Sequence, residues 1–176
     1  METDRIRLRP WQESDAEALF KYASDPEVGP RAGWAPHKSV EESLQVIRTF
    51  FHGDHTWAIE LRATGEAIGC IGYLTQSESN ISIGEDEGEV GYWTARPYWN
   101  QGIASEALRL VVDHCFGPKG MRTLWGDYFL DNPASGRVME KCGFRDTGEN
   151  TYCRHLFRGD SCPVRVMRLD RQILFP

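Results

Sequence analysis

The sequence predicts a mixed α/β fold, and three features carry the prediction. An aromatic, strand-like run at 90–95 passes through a turn holding Pro97, Asn100 and Gly102 directly into an amphipathic helix. That helix is followed by a second apolar run, Thr123–Phe129, so strand, helix and strand form a βαβ unit whose two strands run parallel. Other strand-like runs are joined by short turns and read as antiparallel hairpins: 56–61 with 67–74, and 151–157 with 164–169.

In chain order, residues 5–9 alternate charged and apolar side chains with Ile6 and Leu8 on one face, the period of a half-buried strand. Ser14 with Glu17 reads as a capping box opening a helix that carries Ala18, Leu19 and Tyr22. Residues 27–38 hold two glycines and two prolines around Trp34 and read as an irregular loop, with 33–37 either facing a ligand or covering the core. Ser39 with Glu42 repeats the capping box before Leu44, Ile47, Phe50 and Phe51.

Thr56–Leu61 places Trp57, Ile59 and Leu61 on one face and turns at Thr64-Gly65 into the strand 67–74. The connection 76–88 is polar, and Gly91 inside the next strand suggests a bulge or a close backbone approach. The helix at 104–116 has an apolar stripe of Ile103, Ala104, Ala107, Leu108, Val111, Val112, Cys115 and Phe116, stopped by Gly117-Pro118. Asn132-Pro133 is a cap followed by a first-turn proline, and Gly143 closes that helix after Cys142. The final hairpin is expected to turn at 158–161.

Size and composition narrow the function classes. The 176 residues are expected to form one domain, 1–176, with 40% hydrophobic and 26% charged residues. A formal net charge of −6 argues against nucleic acid or an anionic membrane as partner and suits a cationic one. The opening residues lack the apolar core of a signal peptide, and no apolar run approaches the roughly 18 residues of a membrane span, so the protein reads as soluble and cytoplasmic. Five cysteines without a CxxC pair read as reduced thiols, and five histidines without metal-ligand spacing predict no metal. Tyr98, Trp99 and Trp34 are candidates for a homodimer surface.

The joint at 92–106 is the stretch most suggestive of chemistry. A helix N-terminus offers unpaired amides and the positive end of the helix dipole, for which phosphate is a natural ligand. Gly102 admits close backbone approach, and Ala104 and Ser105 are small enough not to block it. As a bare pattern this is either a phosphate site or an ordinary strand-to-helix turn.

Two segments in order sharpen the reading. The run from Gly91 to Ala107, GYWTARPYWNQGIASEA, and the later run from Asn132 to Phe144, NPASGRVMEKCGF, together resemble the GNAT superfamily of acyl-CoA-dependent N-acyltransferases, in its RimJ/RimL-like branch. Arg5-Ile-Arg-Leu-Arg-Pro, Asp15-Ala16 and Ile68-Gly-Cys-Ile-Gly72 also fit that branch, so the resemblance covers most of the chain. It implies a twisted, mostly antiparallel sheet of about six or seven strands with a splayed parallel pair and helices on both faces. It also implies an N-acetyltransferase moving acetyl from acetyl-CoA to a primary amine, on a protein N-terminus such as that of a ribosomal protein or on a small molecule. The alternative is a non-catalytic acyl-CoA-binding module of the same fold.

By the resemblance, diphosphate binds at Asn100, Gln101, Gly102, Ile103, Ala104 and Ser105, and the pantetheine arm runs along Tyr92, Trp93 and Thr94. The motif's usual first residue, Gln or Arg, is Trp99 here, so one polar contact to phosphate is absent. Lysine side chains and α-amines, with pKa values of about 10.4 and about 8, arrive mostly protonated, so direct attack needs a base. Glu89 is the candidate base; its other reading is as part of a solvated acidic run, 85–89. The tyrosine acid common in the superfamily is replaced by Met139, and the branch points to Ser135 instead. Asn132 either caps its helix, touches the pantetheine arm, or does both. Cys142 has no neighbouring histidine in sequence and is a poor nucleophile candidate.

Overall fold

The computed structural model of the chain describes residues 1–51, 53–155 and 159–172, with 153–155 and 159–161 described by backbone alone. The chain runs β1 (Ile6–Arg9), α1 (Ala16–Ala23), α2 (Gly29–Ala32), α3 (Val40–Thr49), β2 (Thr56–Leu61), β3 (Glu66–Leu74), β4 (Glu87–Thr94), α4 (Ile103–Phe116), β5 (Thr123–Phe129), α5 (Pro133–Lys141), β6 (Arg145–His155) and β7 (Gly159–Asp170). The strands form one sheet in the order β1-β2-β3-β4-β5-β7-β6, antiparallel throughout except for the β4–β5 pair. Helices cover both faces, as the resemblance implied.

Helix α4 docks through the stripe visible in the sequence. Ile103, Ala107, Leu108, Val111 and Cys115 are buried against Ile6, Leu8, Ile59, Ile71 and Val90. Burying a side chain such as Leu108 contributes about 2 to 3 kcal/mol, so this face fixes the helix, and with it the loop at its N-terminus. Met139 of α5 joins the same cluster. On the other face, Leu19 and Ala23 of α1 and Ile47 of α3 cover Ala58, Ala67 and Cys70. Among the described residues, no helix is long and apolar enough to cross a membrane.

Several local expectations are corrected. The bulge lies not at Gly91 but between β2 and β3, where Ile59 pairs with Gly69 and Glu60 with Ala67. The extra residue is Ile68, and the step lets both Ile68 and Ile71 reach the α4 side, while Ala67 and Cys70 face α1. A Cβ on Gly91 would meet nothing within 4 Å, so it marks open space and not a close approach. Helix α1 is preceded by a short 3-10 turn boxed by Gln12 and Asp15 instead of Ser14 and Glu17, because Asp15 is held by Arg9 at 2.7 and 2.8 Å. Ser39 does accept from the Glu42 amide (3.2 Å), as expected of a cap.

The loop 27–38 contains the short helix α2, with Trp34 packed over Gly29. Strand β4 begins at Glu87, so Glu87 and Glu89 are buried and the acidic run is solvated only in part. The last hairpin begins earlier than expected, at Arg145. Residues 156–158 of the expected strand and turn lie outside the described residues, and 159–161, expected in the turn, instead begin β7.

Gly69 and Gly126 test how rigid this packing is. A Cβ at Gly69 would stand 2.5 Å from the Trp93 carbonyl oxygen, whereas one at Gly126 would meet the flexible Met139 sulfur (2.6 Å) and a Val90 methyl (3.2 Å). Gly69→Ala is expected to cost about 2 to 3 kcal/mol and Gly126→Ala about 1 kcal/mol or less, read from urea midpoints. Equal shifts would show that the β3–β4 ladder yields as easily as a side chain.

Candidate active site

The two parallel strands pair only from Glu87 opposite Thr123 to Val90 opposite Gly126, yet β4 continues to Thr94 and β5 to Phe129. Beyond Val90 each strand keeps its outer neighbour and leaves its inner edge open. Two cavities lie at this parting. A groove of about 410 Å³ runs along one side, lined by Tyr92, Trp93 and Thr94, by Asn100, Gly102, Ile103, Ala104 and Ser105, and by Asn132 and Ser135. A smaller cavity of about 180 Å³ is lined by Leu74, Asn80, Glu89, Gly91, Asp127, Tyr128 and Phe129. Tyr92, Ser135, Asn132, Arg31 and Ala32 line both, so the two cavities share a wall.

Of the residues singled out from sequence, ten meet in the groove, Glu89 lies in the smaller cavity, and Gln101 lines neither. The Gln101 side chain turns back to donate to the Pro97 carbonyl (2.8 Å). The loop before α4 has two left-handed residues, Asn100 (φ 61) and Gly102 (φ 79). The Trp99 indole donates to the Thr94 carbonyl (2.8 Å), tying this loop to the end of β4. The amides of Gly102, Ile103, Ala104 and Ser105 meet no backbone acceptor among the described residues, as expected at a helix start. They are available to an anion in the groove.

Sequence reasoning missed the cations around the groove: Arg31, Arg137 and Lys141. Arg137 and Lys141 were legible, since 134, 137, 138 and 141 share one face of the helix that Asn132-Pro133 opens. Arg31 was not. Its guanidinium pairs with Glu27 (3.1 Å), four residues earlier, and lies over the distant Trp99 ring (5.5 Å to the centroid), a contact that only the fold creates. Trp34 lines neither cavity and instead packs edge-on against Trp93 (5.6 Å), and Tyr98 packs edge-on against Tyr22 (6.1 Å).

Glu89 is 4% exposed and firmly oriented. Ser79 Oγ (2.6 Å) and the Asn80 amide (2.7 Å) donate to its Oε2, while among the described residues Oε1 receives only the long contact from Asn80 Nδ2 (3.3 Å). A carboxylate offers about four acceptor positions, so Oε1 retains capacity for a further donor. Across the wall, Tyr92 Oη donates to the Ser135 carbonyl (2.8 Å) and lies 3.1 Å from Ser135 Oγ. With its one proton directed to the carbonyl, Tyr92 leaves the Ser135 hydroxyl as the donor of the pair. Burial pushes the Tyr92 phenol above its ordinary range, and the Ser135 contact offsets only part of this, so the phenol stays protonated.

Asn132 makes no side-chain cap. Its Nδ2 donates to the Arg31 carbonyl (3.2 Å) and so links α5 to α2 across the mouth. Burial also raises the Cys142 thiol, which donates to the Ser105 carbonyl (3.3 Å). A protonated, hydrogen-bonded thiol is no nucleophile. No group of three or more His, Cys, Asp or Glu residues able to hold a metal occurs among the described residues.

Residues 5–145 match the family model described as Acetyltransferase (GNAT) domain. A relative from Bacillus subtilis (strain 168), Uncharacterized N-acetyltransferase YoaA, is 34% identical over 153 residues, covering 84% of each chain. An acetyltransferase (GNAT family) from Bacillus anthracis superposes with a TM-score of 0.81 at 22% identity over 97% of both chains. The spermidine N-acetyltransferase from Vibrio cholerae, solved in complex with CoA and spermine, gives 0.73 at 16% identity over 96% of both. At those identities the two structures establish a shared fold.

The state of the Cys142 thiol can be checked directly. Iodoacetamide labelling at pH 8, mapped by mass spectrometry, is expected to be at least about ten-fold slower at Cys142 in the folded protein than after unfolding. Similar rates would mean that a thiolate is present in the folded state.

Proposed function

We propose, from the premise that this chain belongs to the GNAT family and is an acetyltransferase, that it transfers acetyl from acetyl-CoA to a primary amine by direct attack. The chain 1–176 acts as one N-acetyltransferase domain, in the RimJ/RimL-like branch. One observation carries this reading: an anion-ready groove and a carboxylate-bearing cavity share the wall formed by Tyr92 and Ser135.

The groove suits acetyl-CoA in two respects. The free amides at the start of α4, with Arg31, Arg137 and Lys141 nearby, match the phosphates. The open edge at Tyr92, Trp93 and Thr94 suits an amide-rich pantetheine arm, and a backbone N–H there polarises the thioester carbonyl. The donor supplies the activated acyl group, and the protein positions it.

The amine enters the smaller cavity, where Glu89 and Asp127 favour a cation and Tyr128 and Phe129 form apolar walls. Glu89 Oε1 takes a proton from the ammonium, directly or through a water. The freed nitrogen bonds to the acyl carbon and releases its second proton to solvent, the carbon–sulfur bond breaks, and the sulfur takes the proton of Ser135 Oγ, which solvent restores. Tyr92 holds Ser135 in place for this. The acceptor is thus a primary amine on a small molecule or a protein N-terminus.

Release of free thiol from acetyl-CoA across a panel of amines tests the activity itself. Glu89→Gln is expected to lower kcat about 100-fold or more while leaving CoA affinity unchanged by calorimetry; undiminished turnover would remove Glu89 as the base. Ala104→Glu sets a carboxylate into the groove at the first turn of α4 and is expected to abolish CoA binding, and unaltered affinity would refute the groove assignment.

A further inference from the structure

We propose that Arg5 is a positioning residue for the acyl donor, orienting the Gln101–Gly102 peptide so that its amide faces the diphosphate. This rests on the proposed donor groove. Arg5 stands just before β1 and is distant in sequence from the loop, but its Nη1 donates to the Gln101 carbonyl (3.1 Å). Its Nε (2.8 Å) and Nη2 both reach Glu106 Oε2, in the first turn of α4. The other Glu106 oxygen accepts from Thr3 Oγ1, and the Thr3 carbonyl accepts from Arg62 Nη1 (2.7 Å). The planar guanidinium is therefore held on two sides and cannot swing away without breaking a network.

A trans peptide points its C=O and N–H in opposite directions. With the Gln101 oxygen drawn to Arg5, the Gly102 N–H points away from Arg5, towards the groove that Gly102 lines. Left-handed backbone at Asn100 and Gly102, on either side of Gln101, permits this orientation, and such turns cup anions. Arg5 Nη2 would lie 3.7 Å from a Cβ on Gly102, so the charge sits directly behind the turn. No residue from Pro97 to Ser105 is cationic. Arg5 also neutralises Glu106, whose carboxylate would otherwise oppose an anion at the same helix end.

The test compares two donors with one amine: acetyl-CoA, and S-acetylpantetheine, which lacks the phosphates. For Arg5→Ala, kcat/KM is expected to fall about ten-fold with acetyl-CoA and to stay within about two-fold with S-acetylpantetheine, the size of one lost charge-assisted hydrogen bond. Equal losses with both donors would mark Arg5 as merely structural, and no loss with either would also overturn the proposal. Arg5→Lys keeps the charge without the fork and serves as well if Arg5→Ala does not fold. Partial recovery is expected, and full recovery would show that charge, not peptide orientation, matters. Wild-type protein inactive with both donors would instead sink the acetyltransferase site as drawn, and this inference with it.

Discussion

The site depends on the point at which two parallel strands cease to pair. Between Val90 and Thr94, β4 has a partner on one side only, and between Gly126 and Phe129 the same holds for β5. Unpaired peptide groups are costly to bury, so such a parting persists only where water, side chains or a ligand satisfies them. Here the first turn of α5 stands at the gap, where the Tyr92 phenol meets the carbonyl and the hydroxyl of Ser135. One hydroxyl contact divides the opening into two compartments.

The packing elsewhere serves this gap. The α4 stripe is anchored in the larger core cluster, so the free amides of its first turn are held at a fixed place and angle. Trp99 and Arg5 then fix the connecting loop from opposite ends, one through the Thr94 carbonyl and the other through the Gln101 carbonyl. Preorganised donors of this kind need little rearrangement when charge arrives, which is what makes them effective.

Much of this was legible in local sequence. The strand-to-helix joint, the α4 stripe and Asn132-Pro133 depend on neighbouring residues, so pattern alone located the elements that meet at the site. What was not legible depended on distance. Glu89 looked like one of several solvated acids because its donors, Ser79 and Asn80, come from a connection with no regular period. Arg5 and Arg31 reach the donor side only through folding, and Ile68 becomes a bulge only when β2 is laid beside it. Asn132 carried a capping signature, and its amide is instead drawn to the Arg31 carbonyl on another element.

The division of charge has a consequence for traffic. Arg137 and Lys141 border the groove alone, Glu89 and Asp127 the smaller cavity alone, and Arg31 both, within a molecule of net charge −6. On the proposed reaction, an anionic donor and a cationic amine would each be disfavoured at the opening that suits its counterpart. Added electrolyte weakens that discrimination before it weakens the short-range contacts, because screening acts first on charges that are far apart.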